Sequence, residues 1–294
     1  LAEIFFQDIV ENEQVEERFF KECYCESGAL SKYSLLSKNI LEARYASLFS
    51  QSETAPFITP VREKKNNNIS PDILSEALSR RPIVLLGDVG VGKTSFVKNL
   101  IHNGAYEEFK RAFYIYIDLG SSGALTNNLK DFILEEIEKQ LLEKYSVDIN
   151  DYNFIKGVYA LEISRLSKGI WVQKKESDPD LYETKLLEMI ADLCEKKDVH
   201  LKRAINTRAK SENRQIIVCL DNADQRDYEV QQDTFIISQE LAKDWSTTVF
   251  ISVRPQTFFK SKRSGALSAY PHKVFTISPP RTALVIEKRL LVAL

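Results

Sequence analysis

The 294-residue chain carries 40 basic and 42 acidic residues, for a formal net charge of −2, and is 44% hydrophobic and 28% charged. Those proportions belong to an ordinary globular chain with enough residues to bury a sizeable core. They exclude a bulk polycation, so nucleic acid is not indicated as a partner, although a local basic patch can still form. No apolar run approaches the roughly 20 residues needed to span a bilayer, and no membrane partner is expected.

Residues 1–54 read as a helical N-terminal region. In "FFQDIVENEQVEERFFKECY", Phe5, Ile9, Val15, Phe19 and Phe20 recur at helical spacing, and "SKYSLLSKNILEARYASLF" repeats the pattern. "SPDILSEALSRR" predicts a short helix with Ser70 as N-cap and Pro71 at its first position. "PIVLLG" then reads as a strand buried on both faces, followed by the helix "TSFVKNLIHNG", which Gly104 would close. "AFYIYIDLG" predicts a second strand, and "TNNLKDFILEEIEKQLLEKY" an amphipathic helix. Residues 150–213 look helical and charged. "QIIVCLDNAD", "TTVFISVRP" and "HKVFTISPP" complete five strands, with the helix "IISQELAKDW" after the third and another opening in "TALVIEKRLLVAL". Alternating strands and helices indicate a three-layer α/β domain over 55–294, interrupted by a helical insertion at about 121–213.

The four cysteines, Cys23, Cys25, Cys194 and Cys219, show no CxxC pair and read as the reduced thiols of a cytoplasmic protein. Cys23 and Cys25 would need two further ligands to hold zinc. The chain starts at Leu1 and stops inside "EKRLLVAL", so it is expected to be part of a longer chain, truncated at its C-terminal end.

"GDVGVGKTS", Gly87 to Ser95, satisfies G-x-x-x-x-G-K-[ST] between a strand and a helix. Gly87, Gly90 and Gly92 free the loop to bend around an anion. Asp88, Val89 and Val91 supply further backbone, and Ser95 lies in the first helical turn. Backbone N–H groups and the positive helix end would face the phosphates. Lys93 would reach the β- and γ-phosphates, and Thr94 would place its hydroxyl on Mg²⁺. Asp221, at the end of "IIVCLD", suits the carboxylate that holds Mg²⁺ through water. Asp224 has two readings: it polarises an attacking water, or it caps the helix carrying Tyr228. Arg254 ends the fourth strand. If that strand lies beside the phosphate-loop strand, its guanidinium would register the third phosphate.

Taken in order, "GDVGVGKTS", "IIVCLDNAD" and "TTVFISVRP" resemble the STAND class of signalling ATPases, relatives of AAA+ proteins that include NACHT and NB-ARC members and bacterial antiphage sensors. The expected fold is a P-loop NTPase domain with a five-stranded, mostly parallel sheet in the order 5-1-4-3-2. The resemblance implies ATP and Mg²⁺ as cofactors, Asp224 as the second acid, and Arg254 as the arginine that ends the next strand. "TPVRE" is similar to an adenine-lining segment of the class but lacks its glycine; Val61 and Arg62 would contact the base. Gln225 stands where NACHT proteins often place a further acid, which implies slow hydrolysis. The class also implies a homo-oligomer and an attached effector or partner protein. Two other readings stay open. One is an AAA+ ATPase acting on DNA, for which "KSKRSGALSAYPHK" (Lys260 to Lys273) would be a basic loop. The other is a small-molecule kinase, for which no arginine-bearing lid is evident.

Overall fold

The computed structural model describes residues 19–25, 81–102, 112–120, 128–245, 247–269 and 272–293. The helices expected at 1–18, 26–54 and 70–80, and the cap at Gly104, lie outside them. The described elements begin with β1 (Ile83–Leu86), α1 (Lys93–His102), β2 (Phe113–Asp118) and α2 (Leu129–Tyr145). Five helices follow: α3 (Tyr152–Val158), α4 (Ala160–Lys168), α5 (Val172–Ser177), α6 (Pro179–Glu195) and α7 (Lys197–Glu212). Then come β3 (Ile216–Asp221), a 3₁₀ turn at Ala223–Gln225, α8 (Tyr228–Asp244), β4 (Thr248–Val253), α9 (Pro255–Ser264), α10 (Ala266–Ala269), β5 (Lys273–Thr276) and α11 (Thr282–Ala293).

The five strands form one sheet in the order β2-β3-β4-β1-β5, the expected 5-1-4-3-2 read from the other edge, and every pairing is parallel. Every residue of β1, β3 and β4 is buried, which is why those strands are almost continuously apolar. At the edge, β2 alternates instead: Phe113, Ile115 and Ile117 are buried, while Tyr114, Tyr116 and Asp118 are half-buried on the other face. Ile83, Leu85, Phe96, Cys219, Phe250 and Phe275 build the core between sheet and α1, with Phe96 and Phe275 meeting edge to face at 6.4 Å.

The contacts divide the chain into two compact units, 1–124 with 214–294, and 125–213. The first holds the sheet. In it, the short segment 19–25 packs on α11: Lys288 Nζ donates to the Tyr24 carbonyl at 2.7 Å, Arg289 lies over the Phe19 ring, and the Cys25 thiol donates to the Leu284 carbonyl at 3.5 Å. From the sequence, Lys260 to Lys273 reads as a basic loop. Among its described residues, 260–264 instead end α9, 266–269 form α10 and Lys273 opens β5; Leu267 within the stretch and Phe258 just before it are buried, which favours helices over a solvated loop.

The second unit is helical. In α2, the Asn128 side chain accepts from the Lys130 N–H, and Ser146 closes the helix at φ 53°, in the left-handed region. Its buried stripe is Leu129, Ile133, Ile137 and Leu141, spaced four apart. Asp178 caps α6, with Pro179 at the first position. Ile155, Tyr159, Leu186 and Ile190 form a separate core. Arg203 binds Glu162 at 2.5 Å and lies over the Tyr159 ring at 4.9 Å. No helix among the described residues is long and apolar enough to cross a membrane.

Candidate nucleotide site

The loop after β1 is held by its glycines in two different ways. Gly90 (φ 76°) and Gly92 (φ 93°) adopt a backbone that side-chain-bearing residues rarely take, and a Cβ at either would meet no atom within 4 Å. Gly87 needs room instead: a Cβ there would stand 2.7 Å from Val91 Cγ2 and 2.9 Å from the Ile277 carbonyl oxygen. Its N–H donates to the Val253 carbonyl at 3.2 Å, tying the loop to the end of β4. α1 starts at Lys93, so its first N–H groups open onto the loop. Lys93 Nζ curls back to donate to the Gly87 and Asp88 carbonyls at 2.8 and 2.9 Å.

Asp221 is the last residue of β3 and is 4% exposed. Its Oδ2 accepts a hydrogen bond from Thr94 Oγ1 and another from the Tyr116 hydroxyl at 3.2 Å, and its Oδ1 accepts from the Asn222 N–H at 2.9 Å. Asn222 is left-handed (φ 56°), and its side-chain amide donates to Asp118 Oδ1 at 2.9 Å. Burial, reinforced by the Asp221 and Asp118 charges, pushes the Tyr116 phenol well up, so it stays a donor. Burial and Asp221 likewise push the Cys219 thiol up, which keeps it inert.

Arg254 follows β4, and β4 lies beside β1. Val89, Gly90, Gly92, Lys93, Thr94, Ser95, Asp221, Asn222 and Arg254 line one cavity of about 270 Å³ at the C-terminal edge of the sheet. Thus the structure brings together Lys93, Thr94, Ser95, Asp221 and Arg254. Gly87 and Asp88 join them through the Lys93 hydrogen bonds, and Val91 packs on the core beneath. Val61 and Arg62 lie outside the described residues. Asp224 sits in the 3₁₀ turn, and the cap position of α8 belongs to Asp227, so the capping reading of Asp224 is corrected. Sequence reasoning missed Tyr116, Asp118 and Asn222. The period-two pattern of "FYIYID" puts Tyr116 and Asp118 on one face, but only pairing with β3 sets Asp118 opposite Asp221.

The donor set fits a magnesium–triphosphate. Two cations and a helix N-terminus suit phosphate oxygens, and a hydroxyl beside a carboxylate suits a hard divalent cation. The fold and this site define a nucleotide-binding P-loop NTPase domain. The chain belongs to the KAP family: the family's P-loop domain matches residues 67–253, from before β1 through the end of β4. Its P-loop NTPase membership places it among nucleotide hydrolases in the general sense. No curated protein and no solved structure matches the chain.

Proposed function

We propose that this chain is a regulatory ATPase module of the STAND type, in which Mg²⁺-dependent ATP binding and slow hydrolysis switch an assembly state. The observation that carries it is the convergence on one cavity of Lys93 and Thr94 at the start of α1, Asp221 at the end of β3 and Arg254 just after β4. Lys93 and the N–H groups of residues 90–95 would hold the β- and γ-phosphates. Thr94 and Asp221 would hold Mg²⁺, which supplies Lewis-acid polarisation at phosphate oxygens when bound. Asp224 would polarise the water. Arg254 would contact the third phosphate, giving ATP a contact that ADP lacks, and a switch requires such a differential contact.

In this reading, 1–54 is a helical N-terminal region and 55–294 is the NTPase domain, with its helical insertion at about 121–213. A homo-oligomer would engage an effector domain or partner protein in the cytoplasm, a design consistent with antiphage defence. The DNA-acting alternative draws less support. Lys260 lies 4.1 Å from the Tyr228 ring centroid and Lys262 5.8 Å from that of Phe258, so two cations of the basic stretch are engaged within their own unit.

The test compares ATP and ADP affinity in wild type and Arg254→Ala, with particle size measured in ATP, in ADP and without nucleotide. The expected result is preference for ATP, loss of that preference in the variant, and growth in particle size with ATP alone. Equal affinities in the wild type and a constant size would refute the switch.

A further inference from the structure

We infer that Tyr116 and Asp118, both on β2, are positioning residues for the divalent cation, because together they fix which oxygen of Asp221 can receive it. This rests on the reading of the cavity as a magnesium–nucleotide site.

A carboxylate oxygen offers about two lone-pair directions. Oδ2 of Asp221 takes two hydroxyl donors, from Thr94 and Tyr116, and is filled. Oδ1 takes one donor, the Asn222 N–H, and retains acceptor capacity for the cation or its water. Without the Tyr116 hydroxyl, the two oxygens would be equivalent in load and the carboxylate would lose its preferred orientation.

Asp118 acts on the other oxygen. Asn222 turns the chain in a left-handed conformation directly after Asp221, and its N–H donates to Oδ1 at 2.9 Å. Asp118 Oδ1 holds the turn by accepting from Asn222 Nδ2 at 2.9 Å and from the Gly120 N–H at 2.8 Å. The parallel register sets Asp118 opposite Asp221 and Tyr116 two residues before it on the same face. The Tyr116 ring packs against the core between sheet and α1, which fixes where its hydroxyl stands. Outer partners that orient a metal-binding carboxylate typically matter about tenfold or more in metal affinity.

The experiment measures binding of a fluorescent ATP analogue across a Mg²⁺ titration, and again in excess chelator, for wild type, Tyr116→Phe and Asp118→Ala. Phenylalanine keeps the ring packing and removes only the donor. The expected result is a rise of roughly tenfold in the Mg²⁺ midpoint for Tyr116→Phe, a shift in the same direction for Asp118→Ala, and unchanged affinity in chelator. An unmoved Mg²⁺ midpoint in both variants overturns the proposal alone. Equal weakening with and without Mg²⁺ also overturns it, since that marks a structural role. A wild-type affinity indifferent to Mg²⁺ overturns the underlying site reading and this proposal with it.

Discussion

Gly87 is a residue whose requirement the motif and the structure explain differently. The motif reads it as room for a phosphate; the structure shows it pressed against Val91 and the Ile277 carbonyl. Gly87→Ala is therefore expected to cost about 1–3 kcal/mol of stability by overpacking, measured by denaturant unfolding without nucleotide. Lys93→Ala is expected to abolish nucleotide binding in titration calorimetry while leaving that stability near wild type; an unchanged ATP affinity would refute its phosphate role. Asp224→Asn is expected to slow phosphate release from ATP while ATP still binds, and undiminished turnover would take Asp224 out of the chemistry. Lys93, Thr94 and Asp221 were legible in the sequence because strand, loop and helix are contiguous and a strand-end acid is conspicuous. Tyr116 was not, since nothing in "FYIYID" says which strand will lie beside it.

At the scale of elements, α4 and α7 are joined by the Glu162–Arg203 pair at 2.5 Å, both side chains partly exposed. The hydrogen bond from Arg203 holds the Glu162 carboxyl below the usual carboxylate range, against the opposing effect of burial. A carboxyl lowered in the folded state stabilises above its unfolded pKa, about 4.3, and loses that contribution as pH falls through the lower folded value. Glu162→Gln is thus expected to cost about 0.5–1 kcal/mol at neutral pH, discounted for solvent screening. The difference from wild type should shrink below about pH 4 in thermal melts. A difference that persists undiminished into strong acid would mean that Glu162 acts through packing. The helices themselves were readable, as the four-residue spacing in α2 shows. The pairing of Glu162 with a residue 41 positions away was not, because an amphipathic pattern names a buried face without naming what covers it.

For the whole molecule, a ligand that binds only the folded state stabilises it by mass action, about 2.7 kcal/mol at a concentration 100 times Kd. ATP with Mg²⁺ is expected to raise the unfolding midpoint accordingly. Slowed amide exchange should concentrate at 87–95 and at the C-terminal ends of β3 and β4. Protection confined to 125–213 would move the site elsewhere.

By itself, the sequence determined the strand–helix alternation, the phosphate loop, the acid that ends one later strand and the arginine that follows another. Those are local facts, set by hydrophobic period, by glycine backbone freedom and by residues a few positions apart. Only the tertiary structure decided that Asp221 is shared between Thr94 and Tyr116, that Asp118 pins Asn222, and that Gly87 abuts Ile277. Those contacts depend on the order and register of parallel strands. Long-range pairing sets that register, and a one-residue slip would turn every side chain of a strand to the opposite face.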